Sequence, residues 1–424
     1  HADLFTNRQL TALTTFSDMI SEVKLKVYKD AISAGLPDDQ LGINDGGRGA
    51  KAYYEAIATY LAFLIDQLAN HQSTINSWNS TNSQMRSVFA RQAIPMVWDF
   101  AESNPFCNSS GSYNNLFERM IKGFSAIPAN KEGNALQVDA AIFSFQDKDK
   151  FLISTDPPYY DNIGYADLSD YFYIWLRRSL GNIYPDVLST VLVPKAQELV
   201  ATPYRFEGDR EKAKEFFEQG LYKAFINIKE IANKELPVTI YYAFKQSEIE
   251  SNDEDDDINV SSTGWETMLE GLIKSGFEIV GTWPIRTEKI GRSVEIGTNA
   301  LASSIVIVCR VKKDSLNMIT RREYLNILRK ELPSALKKLQ QGNIAPVDLA
   351  QAAIGPGMSV FSRYSKVLEA DGTPMTVRTA LQIINQELDA YLTTLEGEMD
   401  TDSRFCVAWY EQFGMNEAPF GEAD

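Results

Sequence analysis

Three cysteines and two histidines in 424 residues leave little for metal or thiol chemistry. Cys107, Cys309 and Cys406 lie far apart, and His1 and His71 complete no ligand spacing, so no bound metal is expected. The same scarcity argues against a disulfide framework. With no signal peptide legible, it points to reduced thiols in a cytoplasm. No apolar run approaches the roughly eighteen residues of a membrane span, so no membrane partner is expected. Positive charge is also short: 41 Lys plus Arg against 57 Asp plus Glu give a net charge of −16. That balance is unexpected for a protein that holds DNA, because phosphate neutralisation dominates non-specific affinity.

The charge is unevenly spread. Between Arg286 and Lys338, twelve basic residues face five acids, a local balance of +7. This is the best candidate for a nucleic-acid face, although an exposed helix of mixed charge over Arg321 to Lys338 accounts for it equally well. Glu248 to Asp257 is an acidic run and reads as a solvated loop. It lacks the spaced glycine and terminal Glu of a Ca²⁺ loop.

With 44% hydrophobic residues the chain can bury a large core, enough for two or three domains. Leu10, Leu13, Phe16 and Ile20 recur at helical spacing, as do Ile57, Tyr60, Leu61, Leu64 and Leu68, and these stripes read as packing. Val88 to Glu102 is expected to continue as helix, ending before Asn104-Pro105-Phe106, which has a single proline and is not read as a base-binding turn. Strands are expected at Val138 to Phe145, Phe151 to Thr155, Pro237 to Phe244, Phe277 to Trp283 and Ser303 to Cys309. Helices fall between them at Tyr171 to Leu180, Arg210 to Lys234 and Trp265 to Lys274, and beyond them at Tyr324 to Leu339 and Thr376 to Glu396. The expected fold class is α/β: a partial Rossmann-like sheet, the carboxyl half, within 136–312, flanked by helical regions over 1–135 and 313–424.

One tetrapeptide carries chemistry. Asp156-Pro157-Pro158-Tyr159 follows the apolar run Phe151 to Thr155. An exocyclic amine on a nucleobase is a poor nucleophile because its lone pair is delocalised into the ring. Accepting hydrogen bonds from both amine protons localises that pair and aims it at an electrophilic methyl group. The Asp156 carboxylate supplies one acceptor and the Pro157 carbonyl a second. Consecutive prolines fix φ and offer no competing N–H. Tyr159 supplies a π-face on which a base extruded from the duplex can stack. The aromatics and acids just after the turn make Tyr160, Asn162 and Tyr165 candidates for substrate contact.

The stretch from Thr155 to Trp175, with Trp98 to Phe106 upstream and Ala352 to Met358 downstream, resembles the large prokaryotic adenine-specific DNA methylases described as containing a Zn ribbon. Several of those are linked to restriction and phage defence. The resemblance implies that Asp156, Pro157, Pro158 and Tyr159 hold the base, that S-adenosyl-L-methionine is the methyl donor and that DNA is the partner. Other restriction or defence subunits are implied beside it.

The chain departs from that family in two ways. It has no Zn ribbon, and it has no convincing glycine-rich turn after a first strand for the methionine part of the cofactor. Gly46-Gly47-Arg48-Gly49 lacks a preceding strand and reads as a loop before a helix over Ala50 to Leu68, while Ile354-Gly355-Pro356-Gly357 reads as a helix stop and turn. Opening on His1 rather than Met, the chain reads as a carboxyl-terminal fragment whose cofactor region lies upstream. Phe5-Thr6-Asn7-Arg8-Gln9-Leu10 resembles an aromatic-Thr-Pro cofactor cover with Asn7 in place of proline, which makes Phe5 and Thr6 cofactor-binding candidates. An ordinary helix start capped by Thr6 or Asn7 fits the same residues.

The expected function is methylation of adenine N6 in DNA. Cytosine N4 or RNA as acceptor, and a non-catalytic DNA-binding subunit of a restriction or defence system, are the rivals. The tetrapeptide recognises an amine rather than a whole base, and the glycine turn is missing.

Overall fold

A computed structural model describes residues 1–89, 93–128, 130–143, 150–159, 163–242, 263–286, 303–313, 317–341 and 346–396, with isolated residues beyond 400. The contacts group the chain into two units, residues 1–137 with 163–198, and residues 138–162 with 199–424. This grouping differs from three consecutive segments for a physical reason. The helix after the tetrapeptide buries its aromatics among the amino-terminal helices, and the carboxyl-terminal helices share one core with the sheet.

In the first unit, α1 (Asn7–Ser33) and α2 (Ala50–Ala69) lie against each other, α1 contributing Leu13 and Ile20 and α2 contributing Leu64, Ile65 and Leu68 to one core. Each such large side chain stabilises by about 1.5–3 kcal/mol when fully buried. The Gly46 to Gly49 stretch is, as read, a loop that delivers the chain into α2, with Gly49 at its N-cap. A short hairpin follows, β1 (Trp78–Asn79) with β2 (Gln84–Met85), and then α3 (Tyr113–Ala126). The helix α4 (Tyr165–Leu180) inserts Tyr171 and Trp175 into the core, and a single turn, α5 (Pro185–Leu188), closes the unit.

The expected helix over Val88 to Glu102 does not form in the described residues 93–102, which run as turn and coil. Pro95 denies a helical N–H and pushes Ile94 from the α region. Local hydrogen bonds organise the approach to this stretch instead. Asn76, fully buried, accepts from Ser73 N at 2.8 Å and donates to the Asn70 and Arg86 carbonyls at 2.9 and 2.8 Å.

The second unit holds a four-stranded sheet of β3 (Ser154–Thr155), β4 (Val238–Tyr242), β5 (Phe277–Arg286) and β6 (Ser303–Val311), in spatial order β3-β4-β6-β5. β3 is parallel to β4, with Thr155 opposite Ile240, whereas β6 runs antiparallel to both its neighbours. Alternation sends Val238, Ile240, Tyr242, Ile305, Ile307 and Cys309 to one face, where α6 (Arg210–Ile231) contributes Phe217 and Phe225 and α7 (Thr263–Ser275) contributes Trp265, Met268 and Leu272. The expected strand over Val138 to Phe145 is absent from residues 138–143, where Asp139 to Ile142 make a turn; 144–149 lie outside the described residues.

A second, parallel pair joins β7 (Ile319–Thr320) to β8 (Val367–Leu368), and the helices α8 (Arg321–Gln341), α9 (Pro346–Ser362) and α10 (Val377–Glu396) complete the unit. The helix stop expected at Ile354 to Gly357 does not occur: α9 runs through Pro356. Pro356 has no N–H for the Ala352 carbonyl four residues back, and Thr282 Oγ1 of β5 donates to that oxygen at 2.8 Å instead. The glycines beside the proline serve close packing. A Cβ on Gly355 would meet Thr282 Oγ1 at 2.2 Å, and one on Gly357 would meet Ile384 of α10 at 2.5 Å.

The architecture is mixed α/β, helices predominating, with a small mixed sheet. Among the described residues no helix is long and apolar enough to cross a membrane.

Candidate base-binding loop

The chain enters β3 by pairing Phe151 in parallel with Ala232 at the end of α6. Asn233 N donates to the Phe151 carbonyl at 2.9 Å and Thr239 N to the Ile153 carbonyl at 3.1 Å. These bonds fix the strand against β4 and set Asp156 at its carboxyl end. In open α/β sheets that is the end where ligands bind.

The four residues then alternate. Asp156 is exposed, Pro157 is buried, Pro158 is exposed and Tyr159 is half-buried. Burying Pro157 anchors the turn while the carboxylate faces outward. The Tyr159 ring meets Tyr242 edge-on, centroids 5.4 Å apart at 87°, and Tyr242 stacks on Trp265 at 5.9 Å and 20°. The Tyr242 hydroxyl donates to the Gly264 carbonyl at 3.4 Å, which ties this aromatic column to α7. Neighbouring protein withdraws enough water to push the Asp156 carboxyl above its ordinary value, and the Tyr159 hydroxyl, donating to it, pulls the other way. An exposed carboxylate beside a half-buried aromatic ring can accept a hydrogen bond from an NH₂ group.

Of the other expected substrate contacts, Tyr160 and Asn162 lie outside the described residues. Tyr165 is the exposed first residue of α4, in the first unit, and its carbonyl accepts from Ser169 Oγ at 2.6 Å. Glu198 Oε1 accepts from Ala166 N at 2.9 Å and so serves the start of that helix.

Phe5 and Thr6, expected as cofactor contacts, are also in the first unit, and both side chains have local partners. Thr6 is the N-cap of α1. Its hydroxyl accepts from Gln9 N at 3.2 Å and donates to Glu102 Oε1 at 3.2 Å, and Gln9 Oε1 accepts from Thr6 N at 2.9 Å, a reciprocal capping box. Glu102 is further held by Arg8 at 2.7 Å. Phe5 is buried, stacked on Tyr171 at 5.6 Å and edge-on to Trp175 at 5.5 Å. Neither residue presents a free group to S-adenosyl-L-methionine, so the pair does not fit that cofactor. The helix-start account describes what both do.

The basic stretch is partly neutralised within the fold. Arg321 pairs with Glu369 at 2.9 Å, Arg329 with Glu387 at 2.7 Å, and Lys312 donates to the Tyr364 carbonyl. Arg322, Lys330, Lys337 and Lys338 remain exposed on α8, whose opposite face buries Tyr324, Leu328, Leu332 and Leu336. Lys289, Arg292 and the acidic run Glu248 to Asp257 lie outside the described residues.

Sequence reading passed over two features. Tyr242 and Trp265 register only as strand and helix residues, although an aromatic ending the strand beside Asp156 was a usable signal. Asp66 on α2 sits in an apolar helical stripe, and nothing local announces that its Oδ1 is buried without a hydrogen bond or that burial pushes its carboxyl up to about 8. A cavity of about 270 Å³ lined by Lys274, Phe361, Lys366 and Met375 contains none of the expected site residues.

Residues 400–424 match the family described as Domain of unknown function (DUF8807). No curated protein and no solved structure matches the chain.

Proposed function

We propose that this chain carries the base-holding half of an S-adenosyl-L-methionine-dependent DNA adenine N6-methyltransferase. One observation carries the reading: Asp156-Pro157-Pro158-Tyr159 leaves the carboxyl end of a parallel strand with its carboxylate exposed and its tyrosine set against the sheet. The succession of a parallel strand pair, a helix and a closing antiparallel pair is what the carboxyl half of a Rossmann-like methyltransferase sheet requires, and it supports the same reading.

In this function an adenine leaves the duplex at a cost of a few kcal/mol and stacks against Tyr159. Its N6 protons are accepted by the Asp156 carboxylate and the Pro157 carbonyl, which localises the lone pair on nitrogen. Both acceptors are held by the stiff turn, so little reorganisation is needed when charge develops on the amine. Proximity to β4 keeps the turn fixed, because Tyr242 supports Tyr159 from beneath. S-adenosyl-L-methionine would supply the methyl group. Exposed Arg322, Lys330, Lys337 and Lys338 give an otherwise acidic chain a local surface for phosphates.

The test is methyl transfer from labelled S-adenosyl-L-methionine to duplex DNA, followed by nucleoside analysis. N6-methyladenine with the wild type and none with Asp156→Ala is expected. Equal methylation by both sinks the assignment, methyl on cytosine N4 changes the base, and DNA binding without any transfer favours a non-catalytic subunit.

A further inference from the structure

The helix α3 is fastened to the first unit by one side only. Leu116 is buried and Tyr113 stacks on Phe16 at 4.4 Å, whereas Phe117, Ile121 and Phe124, on the next face round, are 39%, 47% and 37% exposed. This spacing of four and three residues is the stripe by which a helix buries itself against a partner. The stripe continues onto α2, where the Tyr60 ring meets Phe124 at 4.1 Å and Tyr53, Tyr60 and Phe63 are also exposed. Six large apolar side chains left open to this degree present on the order of 500 Å² of surface, at the upper range for a monomer's largest patch.

We propose that this α2–α3 face is a two-fold interface with a second copy of this chain. Its pattern is self-complementary. In an antiparallel pair of α3 helices related by a two-fold axis near Met120 and Ile121, Phe117 of one copy falls opposite Phe124 of the other, and the two Ile121 side chains meet at the centre. Glu118 and Lys122 lie four residues apart on one flank of the stripe, so the same axis sets each Glu118 opposite the second copy's Lys122. Both are exposed and make no ion pair among the described residues, which leaves them available for this exchange. Two copies would bury about 1,000 Å² from the six apolar side chains alone, the size at which specific interfaces begin.

The experiment is sedimentation equilibrium of the full 424-residue chain from about 1 to 100 μM, the range in which an interface of this size associates. The wild type is expected to form a dimer. Ile121→Glu is expected to be monomeric with an unchanged circular dichroism spectrum, because the residue is 47% exposed and lies outside the buried core of its unit. Glu118→Lys should weaken association at least tenfold, and combining it with Lys122→Glu should restore it. A monomeric wild type, or an Ile121→Glu dimer of unchanged affinity, overturns the interface. Failure of the double charge reversal to recover association overturns the two-fold register. A wild type that stays monomeric yet binds another protein through this face would likewise refute a second copy as the occupant.

Discussion

Replacing Thr282 by valine removes the only described donor to the Ala352 carbonyl and keeps nearly the same side-chain shape. The oxygen lies in the buried interior between β5 and α9, Thr282 being 3% exposed and Ala352 0% exposed. Pro356 cannot serve it, so the variant leaves a buried acceptor without a partner. Such a loss costs about 1–3 kcal/mol, and the methyl that replaces the hydroxyl returns less than about 1 kcal/mol. The expected net destabilisation is about 1–2 kcal/mol. In urea, followed by tryptophan fluorescence, that is a midpoint lowered by roughly 0.5 M at a slope of roughly 2–3 kcal/mol per M. A cycle isolates the cause. Pro356→Ala restores a backbone N–H at the position that should donate to Ala352, so Thr282→Val should cost at least about 1 kcal/mol less in that background. Equal costs in the two backgrounds would refute the account of how α9 tolerates its proline.

Asp66 makes stability fall with rising pH. Its folded carboxyl titrates at about 8, above the ordinary unfolded value near 4, so the folded state binds the extra proton; the contribution is complete below about pH 4 and is lost as pH rises through 8. Asp66→Asn should flatten the dependence of the melting temperature between pH 5 and 9, and an unchanged slope in the variant would count against the burial argument. Tyr159→Phe deletes the hydroxyl that donates to Asp156, so the carboxyl should titrate higher than in the wild type, read as an upward shift in its carboxylate carbon resonance titration or in the acid limb of methyl transfer. Thr6→Ala should cost about 1 kcal/mol as the loss of an N-cap and leave S-adenosyl-L-methionine affinity unchanged, measured by calorimetry. A fall in affinity without a fall in stability would reverse the roles.

Periodicity and local chemistry suffice for much of the framework. The stripes of α1 and α2, the amphipathic α8 and the strands β4, β5 and β6 are legible because each buries one regular set of side chains, and burial writes its period into the sequence. Asp156 to Tyr159 is legible for a related reason, since a stiff acidic turn needs particular residues at adjacent positions. Other features depend on partners distant in the chain. Residues 93–102 of the expected helix over Val88 to Glu102 run as turn and coil, as Pro95 interrupts it and Asn76 bonds the approaching loop. Gly355 and Gly357 look like a helix end until β5 and α10 are seen to press against them, and Pro356 looks like a breaker until Thr282 supplies the missing hydrogen bond. Phe5 takes its packing role only once Tyr171 and Trp175 arrive beside it, whereas the Thr6 cap is local, exchanged with Gln9 three residues on. The tertiary fold decides these positions because an orphaned carbonyl, a close approach or a buried charge is settled by whichever atoms complete it, and here those atoms lie tens of residues away.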